Sequence, residues 1–280
     1  MTRRLLVGLL ALIALAAGPA TADPLALDGN LTQGGLVFGT APPGSQVTLD
    51  GRSVRVSAEG RFVFGFGRDA PPSAVLRVVA PDGAVETRTL SIAPRDYNIQ
   101  HIEGLPPKMV TPPEDVLARI RRENEMIAAA RALDHAEPLF DSGFVWPAEG
   151  IITGVYGSQR VLNGEPRRPH YGIDIAAPAG TPVVSPADAV VTLAEADLYY
   201  TGGTLILDHG HGLSSAMLHM KTLSVSVGQR VRQGDPLGTV GAGGRATGPH
   251  LDWRINWFDQ RVDPAFLVPP MPAQPATGSN

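Results

Sequence analysis

Glycine and proline interrupt this sequence throughout, with 32 and 26 of them among 280 residues. Such spacing leaves little room for long helices, because proline removes a backbone donor and glycine costs conformational entropy. It favours many short strands joined by turns. Val47–Leu49 and Arg52–Val56 flank Asp50-Gly51, a strong hairpin signal. Pro81-Asp82-Gly83 separates Val75–Ala80 from Val85–Ile92 in the same way, and Arg61–Phe66 supplies an aromatic strand. Short strands at this spacing predict an immunoglobulin-like β-sandwich over residues 23–96. Nothing in that stretch resembles catalytic chemistry, so it reads as a spacer or docking module.

The first 22 residues read as a signal peptide: Arg3 and Arg4, an apolar run from Leu5 to Ala17, then Ala20-Thr21-Ala22 before the cut. The run is too short to span a bilayer comfortably. The expectation is an exported, periplasmic protein with no membrane anchor in the mature chain. There is no cysteine, which excludes a lipidated N-terminal cysteine, a disulfide framework and a thiolate metal site. The formal net charge is −4, and loss of Arg3 and Arg4 makes it more acidic. That balance argues against nucleic acid as a partner.

Residues 97–143 read as a linker. Thr111-Pro112-Pro113-Glu114 has the capping-box pattern of a helix start, and a helix is predicted over 111–133. Val116, Leu117, Ile120 and Ile127 form its apolar stripe, and Arg119, Arg121, Arg122 and Glu123 keep the rest wet. Such a helix is a packed strut or a partner-binding element. Residues 144–268 return to β character, with strand-like pieces at Val183-Val184, Ala189–Val191, Thr204–Leu207 and Val225–Val227, and a hairpin expected over Val227–Gly238. Residues 269–280 form a tail rich in proline and alanine.

Five of the seven histidines fall in this third region: His170, His209, His211, His219 and His250. His170 and Asp174 are four apart, and His250 and Asp252 two apart. In extended chain, even spacing puts both members of a pair on one face. Two neighbouring segments can therefore offer two imidazoles and two carboxylates to one point, a donor set suited to Zn2+. His209 reads as structural, and His101 and His135 as ordinary surface residues.

The ordered series Arg168-Pro169-His170-Tyr171-Gly172-Ile173-Asp174, Ala179–Val183, Leu207–Gly210, Leu218-His219-Met220, Gly228–Gly238 and Thr247–Leu251 resembles the lysostaphin/LytM-type zinc metallopeptidases, which cleave peptidoglycan cross-bridges. The resemblance covers roughly 146–266 and implies an antiparallel β-sheet peptidase domain, so the whole chain is expected to be all-β apart from the helical linker. It implies that His170 and Asp174 are metal ligands and that His219 and His250 are catalytic. Met217 and Met220 stand where the family has Tyr and Leu around His219. The larger departure is Asp252, at the family's third ligand position, normally the second histidine of His-x-His. Asp252 can coordinate, but a second carboxylate lowers the positive charge left on the ion and its Lewis acidity. Another divalent metal is therefore an alternative to Zn2+.

Period two continues the same face to Arg254, which could hold a ligand carboxylate or a substrate carboxylate. Tyr199 and Tyr200 are further substrate-binding candidates. The implied activity is hydrolysis of peptide cross-links in peptidoglycan. The rival reading is a degenerate relative that binds and regulates other cell-wall hydrolases or a divisome partner. A lipoyl-type carrier module is disfavoured, because Lys221, the sole lysine of the region, lies off the expected turn.

Overall fold

The computed structural model describes residues 25–102 and 114–272. The expected signal peptide, the Thr111–Pro113 part of the capping box and most of the expected tail lie outside them. In chain order the elements are β1 (Ala26–Gly29), β2 (Leu36–Thr40), β3 (Gln46–Leu49), β4 (Arg52–Val54), β5 (Arg61–Gly65), β6 (Ser73–Val79), β7 (Val85–Ser91) and β8 (Ile99–Ile102). The α-helix α1 (Glu114–Arg131) follows. Then come β9 (Ile151–Gly154), β10 (Gln159–Leu162), β11 (Glu165–Pro166), β12 (Ile173–Ala176), β13 (Pro182–Val184), β14 (Ala189–Leu198) and β15 (Gly202–Asp208). The last are β16 (Leu213–Leu223), β17 (Arg230–Val231), β18 (Pro236–Val240), β19 (His250–Trp257) and β20 (Gln260–Val262).

The first seven strands make two small sheets, ordered β1-β2-β5 and β4-β3-β6-β7, antiparallel throughout. Asp50 (φ 47°) and Gly51 (φ 79°) turn β3 into β4; both need left-handed backbone, which is why Asp-Gly suits the position. Leu36, Phe62, Phe64, Leu76 and Val78 are buried in an apolar cluster that continues into Trp257 and Val262 of the C-terminal sheet. Gly65 marks the junction, since a Cβ there would meet Val262 and Trp257. Arg52 pairs with Asp259 at 2.7 Å and Arg95 with Asp263 at 2.9 Å across the same boundary.

The large sheet has ten strands along the path β17-β14-β15-β16-β19-β12-β9, with β13, β18 and β20 branching from it. One row of cross-strand partners runs Ile173, Trp253, Met217, Leu205, Ala194. It is apolar throughout and, Ala194 apart, fully buried; it packs into the main core. The opposite face is divided. Leu193, Ile206, Ala216 and Leu218 form a second cluster covered by Ala130 and Ile127 of α1. Beyond them the same face turns polar.

Three local expectations change. Residues 97–143 contain a strand: β8 pairs in parallel with β10. Val225–Val227 is loop, not strand. The segment expected to form a hairpin over Val227–Gly238 holds β17, which pairs with β14, and β18, which pairs with β13 and β16. Its glycines turn the chain between separate partners.

Candidate functional site

Strands β12 and β19 lie antiparallel with Asp174 opposite Asp252 and Ala176 opposite His250. Facing carboxylates on adjacent strands repel, so this pair requires positive charge nearby. Arg254 supplies part of it. Its guanidinium grips both oxygens of Asp252, with Nη2 donating to Oδ2 at 2.5 Å and Nε to Oδ1 at 3.0 Å. Asp252 is 2% exposed; burial pushes its carboxyl pKa up, the Arg254 charge pulls it down, and the net direction is down.

Two glycines permit the crowding. A Cβ on Gly172 would collide with Asp252 Oδ1, and one on Gly154 with Asp174 Oδ2. Gly172 thereby lets the segment carrying His170 pass beside the Asp252–Arg254 pair. His170 Nε2 reaches Asp174 Oδ1 at 3.2 Å, and it is a buried nitrogen with no hydrogen-bond partner. One donor atom each from His170, Asp174 and Asp252 lie within 4.8 Å of one another.

His219 arrives by a backbone exception. It sits just past the middle of the long strand β16 with φ 66°, a left-handed conformation that is rare for a residue with a side chain. Simple alternation after Leu218 would send it to the core side. Instead its ring lies 4.7 Å from that of His250, centroid to centroid. His219 Nδ1 donates to the Gly243 carbonyl at 2.8 Å, and His250 Nδ1 donates to the Gly248 carbonyl at 2.8 Å. A carbonyl only accepts, so both Nδ1 atoms carry the proton and both Nε2 lone pairs remain free. His250 Nε2 lies 3.8 Å from Asp174 Oδ1. Burial lowers the pKa of His219, which keeps it neutral near pH 7.

The five expected residues His170, Asp174, His219, His250 and Asp252 thus line one cleft of about 1500 Å³. The donor set fits Zn2+: an unsatisfied imidazole nitrogen and two carboxylates, one held in place by an outer arginine. Arg254 belongs to the cleft. Tyr200 lines it too, whereas Tyr199 is absent from the lining, its backbone N–H bonded to Glu123 of α1. His209 is structural, as read: it is wholly buried, with Nδ1 on the Asp188 carbonyl and Nε2 on Ser215 Oγ. His135 differs from its reading as an ordinary surface residue, because Nδ1 bonds Asp208 Oδ2 at 2.7 Å and ties the linker to the turn before β16. Sequence reasoning missed the cleft's arginines beyond Arg254; their positions in five separate segments carry no local signature.

Comparison with known proteins agrees with this geometry. The profile of peptidase family M23 matches residues 168–264. The cell division protein DipM of Caulobacter vibrioides is 33% identical over 132 residues, which is 45% of this chain and 21% of that protein. The DD-carboxypeptidase/endopeptidase Mpg of Neisseria meningitidis is 39% identical over 105 residues, 38% of this chain and 24% of that protein. The chain thus matches less than a quarter of the length of these curated relatives. A crystal structure of a putative M23 peptidase from Pseudomonas aeruginosa superposes with TM-score 0.67 at 30% identity, covering 85% of this chain and 95% of that one. On fold, ordered motifs and overall similarity, this chain belongs to peptidase family M23.

Proposed function

We propose that this protein is an exported, periplasmic zinc endopeptidase that hydrolyses peptide cross-links of peptidoglycan. The observation that carries the reading is the convergence of His170, Asp174 and Asp252 on one point, beside two histidines whose Nε2 lone pairs are free. His170, Asp174 and Asp252 would hold Zn2+, which supplies Lewis acidity toward the scissile carbonyl. His219 Nε2 takes a proton from the attacking water, its tautomer set by the Gly243 carbonyl and its neutral form favoured by burial. His219 Nε2 then gives that proton to the leaving amine, while His250 Nε2, facing the same space with its lone pair free, accepts a hydrogen bond from the attacking water. Arg254 fixes the orientation of Asp252. The two N-terminal sheets, ordered 1-2-5 and 4-3-6-7, support reading 23–96 as an immunoglobulin-like docking module. Residues 97–143 are then a linker, 144–268 the peptidase domain and 269–280 a tail.

Digestion of purified wall sacculi, followed by chromatography of released peptides, tests the reading. The protein is expected to carry about one Zn2+ per chain and to expose new amino groups in the wall. His170→Ala should lower the rate by on the order of 100-fold, at least as much as loss of an outer partner to a metal ligand. Hydrolysis undiminished in that variant would sink the proposal. The grip of Arg254 on both oxygens of Asp252 favours a second reading, a regulator that binds wall hydrolases or division proteins. Wild-type protein without bound metal or cleavage, regaining metal as Asp252→His, would select it.

A further inference from the structure

The chain is acidic overall, yet the cleft is not. Eight arginines and three aspartates line it, with no lysine or glutamate. Arg52 pairs with Asp259 and Arg254 with Asp252. The other six arginines have no carboxylate partner among the described residues. Three of them converge from distant parts of the chain: Arg131 ends α1, Arg168 precedes β12 and Arg261 lies in β20. Arg168 and Arg261 both stand over the ring of Tyr171, at 5.6 and 6.0 Å. Among the described residues nothing hydrogen-bonds the Arg131 side chain, and its Nε is buried without an acceptor. Burial, then the like charges of Arg261, Arg254 and Arg168, lower its pKa to about 9. Burial and the charges of Arg168 and Arg254 lower that of Arg261 to about 10.

Guanidinium groups gathered in this way are costly to the free protein unless an anion joins them. Their planar donors match a carboxylate in two-point contact. We propose that Arg131, Arg168 and Arg261 form a carboxylate-binding subsite, so that the cleft selects an acidic peptide strand lying across Tyr171 beside His170 and Asp174. The inference rests on the reading of the cleft as a peptide-cleaving site and specifies the chemistry of the peptide it takes. Arg131 also makes α1 a wall of that subsite: the helix covers Ile206 and Leu218 with its apolar stripe and delivers one cation at its last turn.

The test uses full-length protein and a fluorescent four-residue peptide of alanine, glutamate, lysine and alanine with free carboxylates. Its counterpart carries glutamine and a C-terminal amide. Anisotropy titration at low salt is expected to show about ten-fold tighter binding of the acidic form. Arg131→Gln, Arg168→Gln and Arg261→Gln should each remove most of that preference, while Arg77→Gln, exposed on β6, should not. Arg131→Gln should also raise Tm by about 2 to 4 °C, because a buried unpaired charge is removed. Equal affinity for the two peptides, or a preference unchanged in all three cleft variants, overturns the inference. Tighter binding of inorganic phosphate than of the acidic peptide overturns it as well and assigns the subsite to a phosphate group. The same titration and wall digestion, run side by side on the wild type, separate the two proposals. A preference kept in a protein that does not cut walls leaves the subsite standing without the peptidase. Wall cleavage without a carboxylate preference leaves the peptidase without the subsite.

Discussion

Strand β19 is buried on both faces, and the two faces obey different rules. Leu251, Trp253, Ile255 and Trp257 point to the main core and are 0–2% exposed. His250, Asp252, Arg254 and Asn256 point the other way, and Asp252 and Asn256 are buried as deeply as the tryptophans. The first face is held by apolar area and close packing. The second is held by charge pairing between Arg254 and Asp252 and by the hydrogen bond from Arg261 to Asn256 Oδ1, while the amide nitrogen of Asn256 stays buried without a partner. Comparing the faces teaches how the fold carries a reactive site: a dense apolar layer supports, one residue away along the same backbone, a layer that packing alone would reject.

The largest effect on stability is expected on the apolar face. Trp253→Ala should cost about 3–5 kcal/mol, the usual range for emptying a large core site, measured by urea unfolding. A cost below about 1 kcal/mol would mean that the core side of the sheet is not the support described here. On the polar face, Asp252→Ala should cost about 3 kcal/mol, because it leaves the Arg254 guanidinium without its buried partner. The double variant Asp252→Leu with Arg254→Met should recover most of that loss. Equal instability of the single and double variants would show that the pair contributes by shape and not by charge.

A buried histidine under the same sheet behaves as neither face does. His209 has both ring nitrogens occupied, and burial lowers its pKa to about 4. In the unfolded chain histidine titrates near 6.5. Between those values the unfolded state binds the extra proton, so stability rises with pH across this window and is lost as pH falls through it. The loss should reach about 3 kcal/mol by pH 4 and should be absent from the pH dependence of His209→Asn. A wild-type curve flat from pH 6.5 to 4 would contradict the burial of a neutral ring.

Much of this was readable in sequence because it is local. Asp50-Gly51 specifies its own turn. The two-residue interval from His250 to Asp252 puts both on one face once the segment is a strand, and the match of His170 and Asp174 to a known motif did the rest. What was not readable depends on residues far apart in the chain. The β8–β10 pairing joins residues about sixty positions apart, and the 97–102 stretch has no alternation strong enough to announce it. The Arg131, Arg168 and Arg261 cluster exists only after α1 and β20 fold onto one cleft. Val225–Val227 has β-branched composition but no strand beside it, so composition misled there.

The smallest expected effect concerns the residue that breaks the alternation. His219 holds φ 66° just past the middle of β16, and left-handed backbone costs an L-residue about 1 kcal/mol that glycine does not lose. Replacing His219 by alanine keeps that cost and discards the hydrogen bond to Gly243; replacing it by glycine discards the hydrogen bond alone. His219→Gly should therefore be more stable than His219→Ala by about 1 kcal/mol, while both lose wall hydrolysis. If alanine proved the more stable of the two, the strand would have relaxed to ordinary extended backbone in its absence. The left-handed turn would then be something the imidazole imposes through Gly243, and not something the sheet imposes on the imidazole.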